Sequence, residues 1–175
     1  MSLSSSSALT LGCDRDSHGS GGARWARRAG LALLALIVLL ALLNVFGQRP
    51  ATSTASAAEA RLQVYAPAAV RSGLVYTARF RIDVREEMKK AILVLAPGWA
   101  DQYTFNGVAP QPIGEASADG KISFTLGHIR RRDHYTLFVS LQTNPTNVGR
   151  HDQTVWLYDG ARELAVIRRK VTVWP

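Results

Sequence analysis

From Leu31 to Leu43 the chain carries no polar side chain, and Asn44 is the first to break the run. The uncharged stretch around it is longer, from Ala29 to Gln48. At about 1.5 Å of rise per residue it spans about 30 Å, the thickness of a bilayer's hydrocarbon core. Lipid offers no partner to a free amide or carbonyl, so such a stretch can cross only as a helix. Residues 29–48 are therefore expected to be a transmembrane helix.

Charge at its two ends sets the expected direction. Arg24, Arg27 and Arg28 precede the stretch, and Arg49 stands alone after it. The positive-inside rule keeps residues 1–28 in the cytoplasm and sends residue 49 onward outside. Trp25 and Phe46 fall near the two interfaces, where amphipathic rings are favoured. The Ser- and Gly-rich residues 1–22 read as a disordered tail. A cleaved signal peptide is the competing reading, because Ala55-Ser56-Ala57 has the small-x-small pattern of a processing site. The apolar block exceeds the ~7–15 residues of a secretory core, and the site lies far beyond Phe46, so an uncleaved anchor is expected. Leu11-Gly12-Cys13 precedes the apolar block instead of following it, which excludes lipidation there. Cys13 is the chain's one cysteine, so the outer part has no disulfide and must hold together by packing.

Residues 49–60 are small and polar and are expected to form a flexible stalk. From residue 61 the apolar period changes to two. In Gly73–Val84, Leu74, Tyr76, Ala78, Phe80, Ile82 and Val84 alternate with Val75, Thr77, Arg79, Arg81 and Asp83. Lys121–Leu126 and Tyr135–Leu141 repeat the pattern, the mark of half-buried antiparallel strands. Shorter strands are expected at Leu62–Tyr65, Ala91–Leu95, Tyr103–Phe105, Thr154–Tyr158 and Leu164–Val173. Asn106-Gly107, Asp119-Gly120 and Asp159-Gly160 offer tight-turn chemistry, and Pro97-Gly98 and Asn144-Pro145 mark further reversals. Ala109–Ala118 reads as an exposed loop. About seven to nine short strands in residues 61–175 imply an all-β domain, an immunoglobulin-like antiparallel sandwich without the Cys…Trp…Cys signature.

The formal net charge is +8, and residues 61–175 hold sixteen Lys/Arg against ten Asp/Glu, leaving +6 in the outer domain. A domain so charged is drawn to phospholipid headgroups or acidic envelope polymers. Nucleic acid is not an expected partner outside the membrane. No nucleophile elbow, zinc-protease motif or phosphate-binding glycine loop occurs, so neither catalytic nor metal nor cofactor residues are assigned. His128, His134 and His151 are distant in sequence and are expected as solvated loop residues.

Two basic runs, Arg130-Arg131-Arg132 and Arg168-Arg169-Lys170, are candidate contacts for an anion or a partner. The first is expected at one end of the sandwich, the second at a bulge or exposed edge. Asn144, Asn147 and Arg150 belong to Asn144–Arg150, a loop whose Asn, Pro and Gly residues give it a defined shape. Asn144–Arg150 and Val155–Gly160 together resemble uncharacterised bacterial single-pass membrane proteins with a small outer β-sandwich. That resemblance implies a bacterial origin and nothing about mechanism. The reading that results is a membrane-anchored, non-enzymatic binding or accessory module engaging a membrane-protein partner. A sensor for an anionic envelope component stands second, and an enzyme with an unrecognised site third.

Overall fold

The computed structural model describes residues 21–43 and 48–175. They belong to two separate units, one ending at Leu43 and the other beginning at Asn44. Cys13, Asn44 and Phe46, and the expected tail up to residue 20, lie outside the described residues.

Among the described residues of the first unit there is one helix, α1 (Gly21–Leu42). It begins well before Ala29 because Ala23, Ala26, Arg27 and Arg28 are all good helix formers. Leu31, Leu33, Leu34, Ile37 and Leu39 are all at least half exposed. A helix apolar on every side is not made to lie on a protein core. By length and composition α1 is able to cross a bilayer.

The second unit is a β-sandwich. Its strands are β1 (Arg49–Ser56), β2 (Ala60–Arg71), β3 (Val75–Val84), β4 (Met88–Leu95), β5 (Tyr103–Ala109), β6 (Gly114–Ala118), β7 (Lys121–Ile129), β8 (His134–Thr143), β9 (Gly149–Asp152), β10 (Val155–Asp159), β11 (Arg162–Ile167) and β12 (Lys170–Trp174). One short helix, α2 (Pro97–Ala100), follows β4. A seven-stranded sheet runs β5-β8-β3-β2-β12-β9, with β1 also paired to β2. The facing five-stranded sheet runs β11-β10-β4-β7-β6. All pairs are antiparallel except β12 on β2.

The expected alternation supplies the core. Tyr76, Ala78, Phe80, Ile82 and Val84 of β3 are buried, as are Leu137, Val139 and Leu141 of β8 and Phe124 and Leu126 of β7. Leu74 is exposed, because the strand starts one residue after it. The Asp119-Gly120 turn is present, with φ of 52° and 71°, between the paired residues Ala118 and Lys121.

Other expectations are corrected. Residues 49–56 are not a stalk but β1, paired along β2 from Arg49 opposite Ala69 to Ser56 opposite Arg61. Main-chain bonds hold it, and its half-buried side chains are Ala51, Ser53 and Ala55, too small to register as a hydrophobic period. Part of the expected 109–118 loop is β6, a short edge strand of small residues. Asn106-Gly107 is no turn: the register of β5 against β8 slips between Phe105 and Gly107, so Asn106 is the extra residue of a bulge. Pro97-Gly98 opens α2. With β9 starting in the expected 144–150 loop and Leu164–Val173 divided into β11 and β12, these additions bring the strands among the described residues to twelve.

Candidate functional site

The site is built where the chain changes sheets. β11 is an edge of the five-stranded sheet and β12 lies in the other, so Arg168-Arg169 is the step between layers. This run is therefore neither a bulge nor an exposed edge. A strand-like step turns alternate residues to opposite sides. Arg168 and Lys170 are exposed, and Arg169 between them is only 7% exposed.

The guanidinium of Arg169 enters the sandwich. Its Nη2 donates to the carbonyl oxygens of Ala66 at 2.9 Å and Pro67 at 2.8 Å. Its Cζ lies 5.9 Å from the centre of the Trp99 ring. Trp99 is fully buried at the foot of α2 and packs on Phe80 and Tyr103, with centroids 5.5 and 6.4 Å apart. Tyr76 meets Tyr103 edge-on at 5.6 Å, and the Tyr76 hydroxyl accepts from Gln153 Nε2 at 3.3 Å. Burial lowers the Arg169 pKa, an effect that the nearby Tyr76 and Tyr103 partly offset. The guanidinium remains charged all the same.

No carboxylate pairs with Arg169 among the described ion pairs. Arg169 Nε and Nη1, Trp99 Nε1 and Gln153 Oε1 are buried and lack a hydrogen-bond partner in the structure. A buried cation without a counter-charge costs several kcal/mol. Its Nη2 bonds and the aromatic face recover part of that cost.

Outside this buried group lies an open groove of about 840 Å³, lined by Arg150, Asp152, Thr154, Trp156, Arg168, Arg169 and Lys170. Register brings the lining together: Arg150 pairs with Thr172 and Asp152 with Lys170 across β9 and β12. Asp152 is its one acid, and it accepts from Thr154 Oγ1 at 2.8 Å. Lys121 Nζ sits 5.1 Å from the centre of the Trp156 ring, adding a further cation beside the groove.

The other basic run does not join it. Arg130, Arg131 and Arg132 form the β7–β8 connection, where Arg132 N bonds Val84 O and Arg131 Nε donates to Arg85 O. Ile129 pairs with Met88 at one end of β4, whereas Ile167 and Leu95 both align with Val155 at the other. The two runs thus occupy opposite ends of the five-stranded sheet. Asn144 and Asn147 shape their own loop. Asn144 Oδ1 accepts from Thr146 N and Oγ1, and Asn147 Nδ2 donates to Asp101 O. The histidines stand on strands instead of loops. His128 and Glu87 are 2.6 Å apart, and no group of three or more metal-binding side chains occurs among the described residues.

The outer face of the five-stranded sheet is the feature that motif reading missed. Val166, Trp156, Val94 and Ser123 align in one row across β11, β10, β4 and β7. Tyr158, Ile92 and Thr125 align in the next. These seven side chains are half-buried, while their neighbours Leu93, Val155 and Leu157 face inward and are fully buried. A sandwich needs only one apolar face per strand, so β4, β10 and β11 carry more apolar surface than the fold uses. The outer face of the other sheet mixes charge with scattered apolar groups: Arg79, Arg81 and Asp83 lie there with Gln63 and Thr136, beside the exposed Tyr65, Val75 and Phe138. The signal was present in Ile92–Leu95 and Val155–Tyr158, whose apolar runs do not alternate with polar residues.

No family model matches the chain. No curated protein matches it either. Among solved structures it is similar to CaCohA2 from Clostridium acetobutylicum, at 17% identity and a TM-score of 0.49, over 67% of this chain and 92% of that one. It is also similar to a non-cellulosomal cohesin from the hyperthermophilic archaeon Archaeoglobus fulgidus, at 12% identity and a TM-score of 0.42, over 73% of this chain and 92% of that one. Likenesses this distant say nothing about what the chain binds.

Proposed function

We propose that this chain is a membrane-anchored, non-enzymatic binding module that engages a membrane-protein partner through the outer face of its five-stranded sheet. Residues 1–28 lie in the cytoplasm, the apolar helix holds the chain in the bilayer, and the sandwich stands outside. The arginines before the helix support that direction, since Arg24, Arg27 and Arg28 precede it. The observation that carries the binding role is the apolar surplus of β4, β10 and β11. A centre of Trp, Tyr, Ile and Val framed by charged side chains has the make-up of a protein interface.

A second reading is favoured by the cationic groove: recognition of an anionic envelope component, either a polymer or a lipid headgroup. The two uses are compatible, because the groove sits at one end of the same sheet.

The test is co-purification of the full-length protein after crosslinking in its native membrane. Wild type is compared with Ile92→Asp on the five-stranded face and Thr77→Asp on the opposite one. Recovery of the same membrane protein with wild type and Thr77→Asp, and its loss with Ile92→Asp, is expected. Equal recovery with all three removes the face from the account.

A further inference from the structure

We infer that the groove between β9, β10 and the β11–β12 step is a binding site for a phosphate-bearing ligand that carries at least two negative charges. The inference rests on the second reading of the groove, whose ligand chemistry it names, and does not depend on the protein-docking face.

Three features lead there. The first is the charge balance of the lining. Arg150, Arg168, Arg169 and Lys170 face a single acid, Asp152, whose oxygen is already engaged by the Thr154 hydroxyl. The lining therefore carries three net positive charges. Lys121 stands just beyond, over Trp156. Strand pairing sets Arg150, Asp152 and Lys170 side by side on β9 and β12, so the fold itself gathers these charges.

The second feature is Arg169. It is more than nine-tenths buried, with Nε and Nη1 unpartnered. Like-charged neighbours on either side, Arg168 and Lys170, make its burial harder still. No described side chain supplies the missing negative charge. An anion in the groove would partner the exposed Arg150, Arg168 and Lys170 directly and offset the buried charge of Arg169 behind them at longer range.

The third feature is size. A groove of about 840 Å³ is far larger than an isolated ion needs. One carboxylate would leave most of its positive charge unanswered. Phosphate esters and diphosphates present several oxygens and more charge, which suits guanidinium forks together with a lysine point charge. Trp156 gives the groove a flat apolar wall on which the remainder of such a ligand can rest.

Phosphate of this kind is found in lipid headgroups and in soluble or polymeric envelope esters, and the experiment separates them. Full-length protein in phosphatidylcholine nanodiscs is titrated calorimetrically with inorganic pyrophosphate at about 0.15 M ionic strength, where diffuse surface attraction is largely screened. Three proteins are compared: wild type, Arg168→Gln/Lys170→Gln in the groove, and Arg130→Gln/Arg131→Gln at the far end. All four positions are exposed, so the folds remain comparable. Wild type and the far-end variant should bind saturably, and the groove variant should bind at least about tenfold more weakly, the scale of one lost charge-assisted contact. Absence of saturable binding, or an equal loss in both double variants, overturns the inference. Vesicles containing cardiolipin, whose headgroup carries two phosphodiesters, are then added as competitor. Displacement of pyrophosphate identifies a headgroup as the source, and persistence identifies a soluble phosphate ester. Because Ile92 is untouched, the docking face can fail its own test while the groove passes this one.

Discussion

Arg169 and Trp99 meet from two separate crossings between the layers of the sandwich, the guanidinium carbon lying 5.9 Å from the indole ring centre. Trp99 comes from the turn after β4, and Arg169 from the step between β11 and β12. Their meeting depends on a close approach of α2 to β9. A Cβ at Gly98 would run into the carbonyl oxygen of Asp152.

Gly98→Ala is therefore expected to push α2 off β9 and loosen Trp99 beneath Arg169. The cost should be about 1–3 kcal/mol, the usual range for overpacking a tight site. Urea unfolding followed by tryptophan fluorescence measures it. An unchanged midpoint would mean that α2 is free to shift.

Neighbours on β4 should behave in opposite ways. Leu93 is fully buried between the sheets, whereas Ile92 faces outward and is half-buried. Leu93→Ala should lose about 2–5 kcal/mol. Ile92→Asp should stay within about 1 kcal/mol of wild type, as surface substitutions usually do. Thermal unfolding of both variants checks the parity, and a large loss at Ile92 would show that its face is part of the core.

Chain truncation tests β1. A protein starting at Gln48 keeps the whole β1–β2 pairing, and one starting at Arg61 leaves that edge of β2 bare between Arg61 and Ala69. It also removes Glu59, whose carboxylate is 2.9 Å from Arg162, and the contact of β1 with β11. The shorter protein should aggregate or melt much lower, because an open edge invites pairing with other chains. Equal melting of the two soluble proteins would restore the stalk reading.

Alkaline pH should weaken the domain through Tyr76 and Tyr103. Burial is the main cause of the raised pKa of each hydroxyl, so both stay protonated in the fold beyond the ordinary value of about 10. The stability they contribute is complete below the unfolded value and is lost as pH rises through it, when the unfolded chain begins to release those protons. For Tyr76 the slope should approach about 1.4 kcal/mol per pH unit, and Tyr103 adds to it in the same direction. In Tyr76→Phe it should be clearly shallower, by chemical denaturation at stepped pH above 10.

What was legible in the sequence followed from the length of an apolar block and from period two. Leu31–Leu43 announced α1, and Tyr76–Val84 and Leu137–Leu141 announced the inner faces of β3 and β8. The strands that escaped, β1, β6 and β9, are built from small or polar residues and are held by main-chain bonds, which leave no hydrophobic pattern. Both arginine runs read in sequence as candidate contacts for an anion or a partner. Only the change of sheets at Arg168-Arg169 separates them, and that is a property of topology. Trp99, although fully buried, gave no warning because it sits in a Pro-Gly turn.

The central claim is that the outer face of the five-stranded sheet meets a membrane protein. Its most direct test is site-specific photo-crosslinking of the full-length chain in its native membrane. The photoreactive residue is placed at Val94 or Tyr158 on that face, and at Thr77 or Gln142 on the outer face of the other sheet. The account expects one protein adduct of the same mass from Val94 and Tyr158, absent from Thr77 and Gln142. Adducts from all four positions alike, from lipid alone, or from none would contradict it.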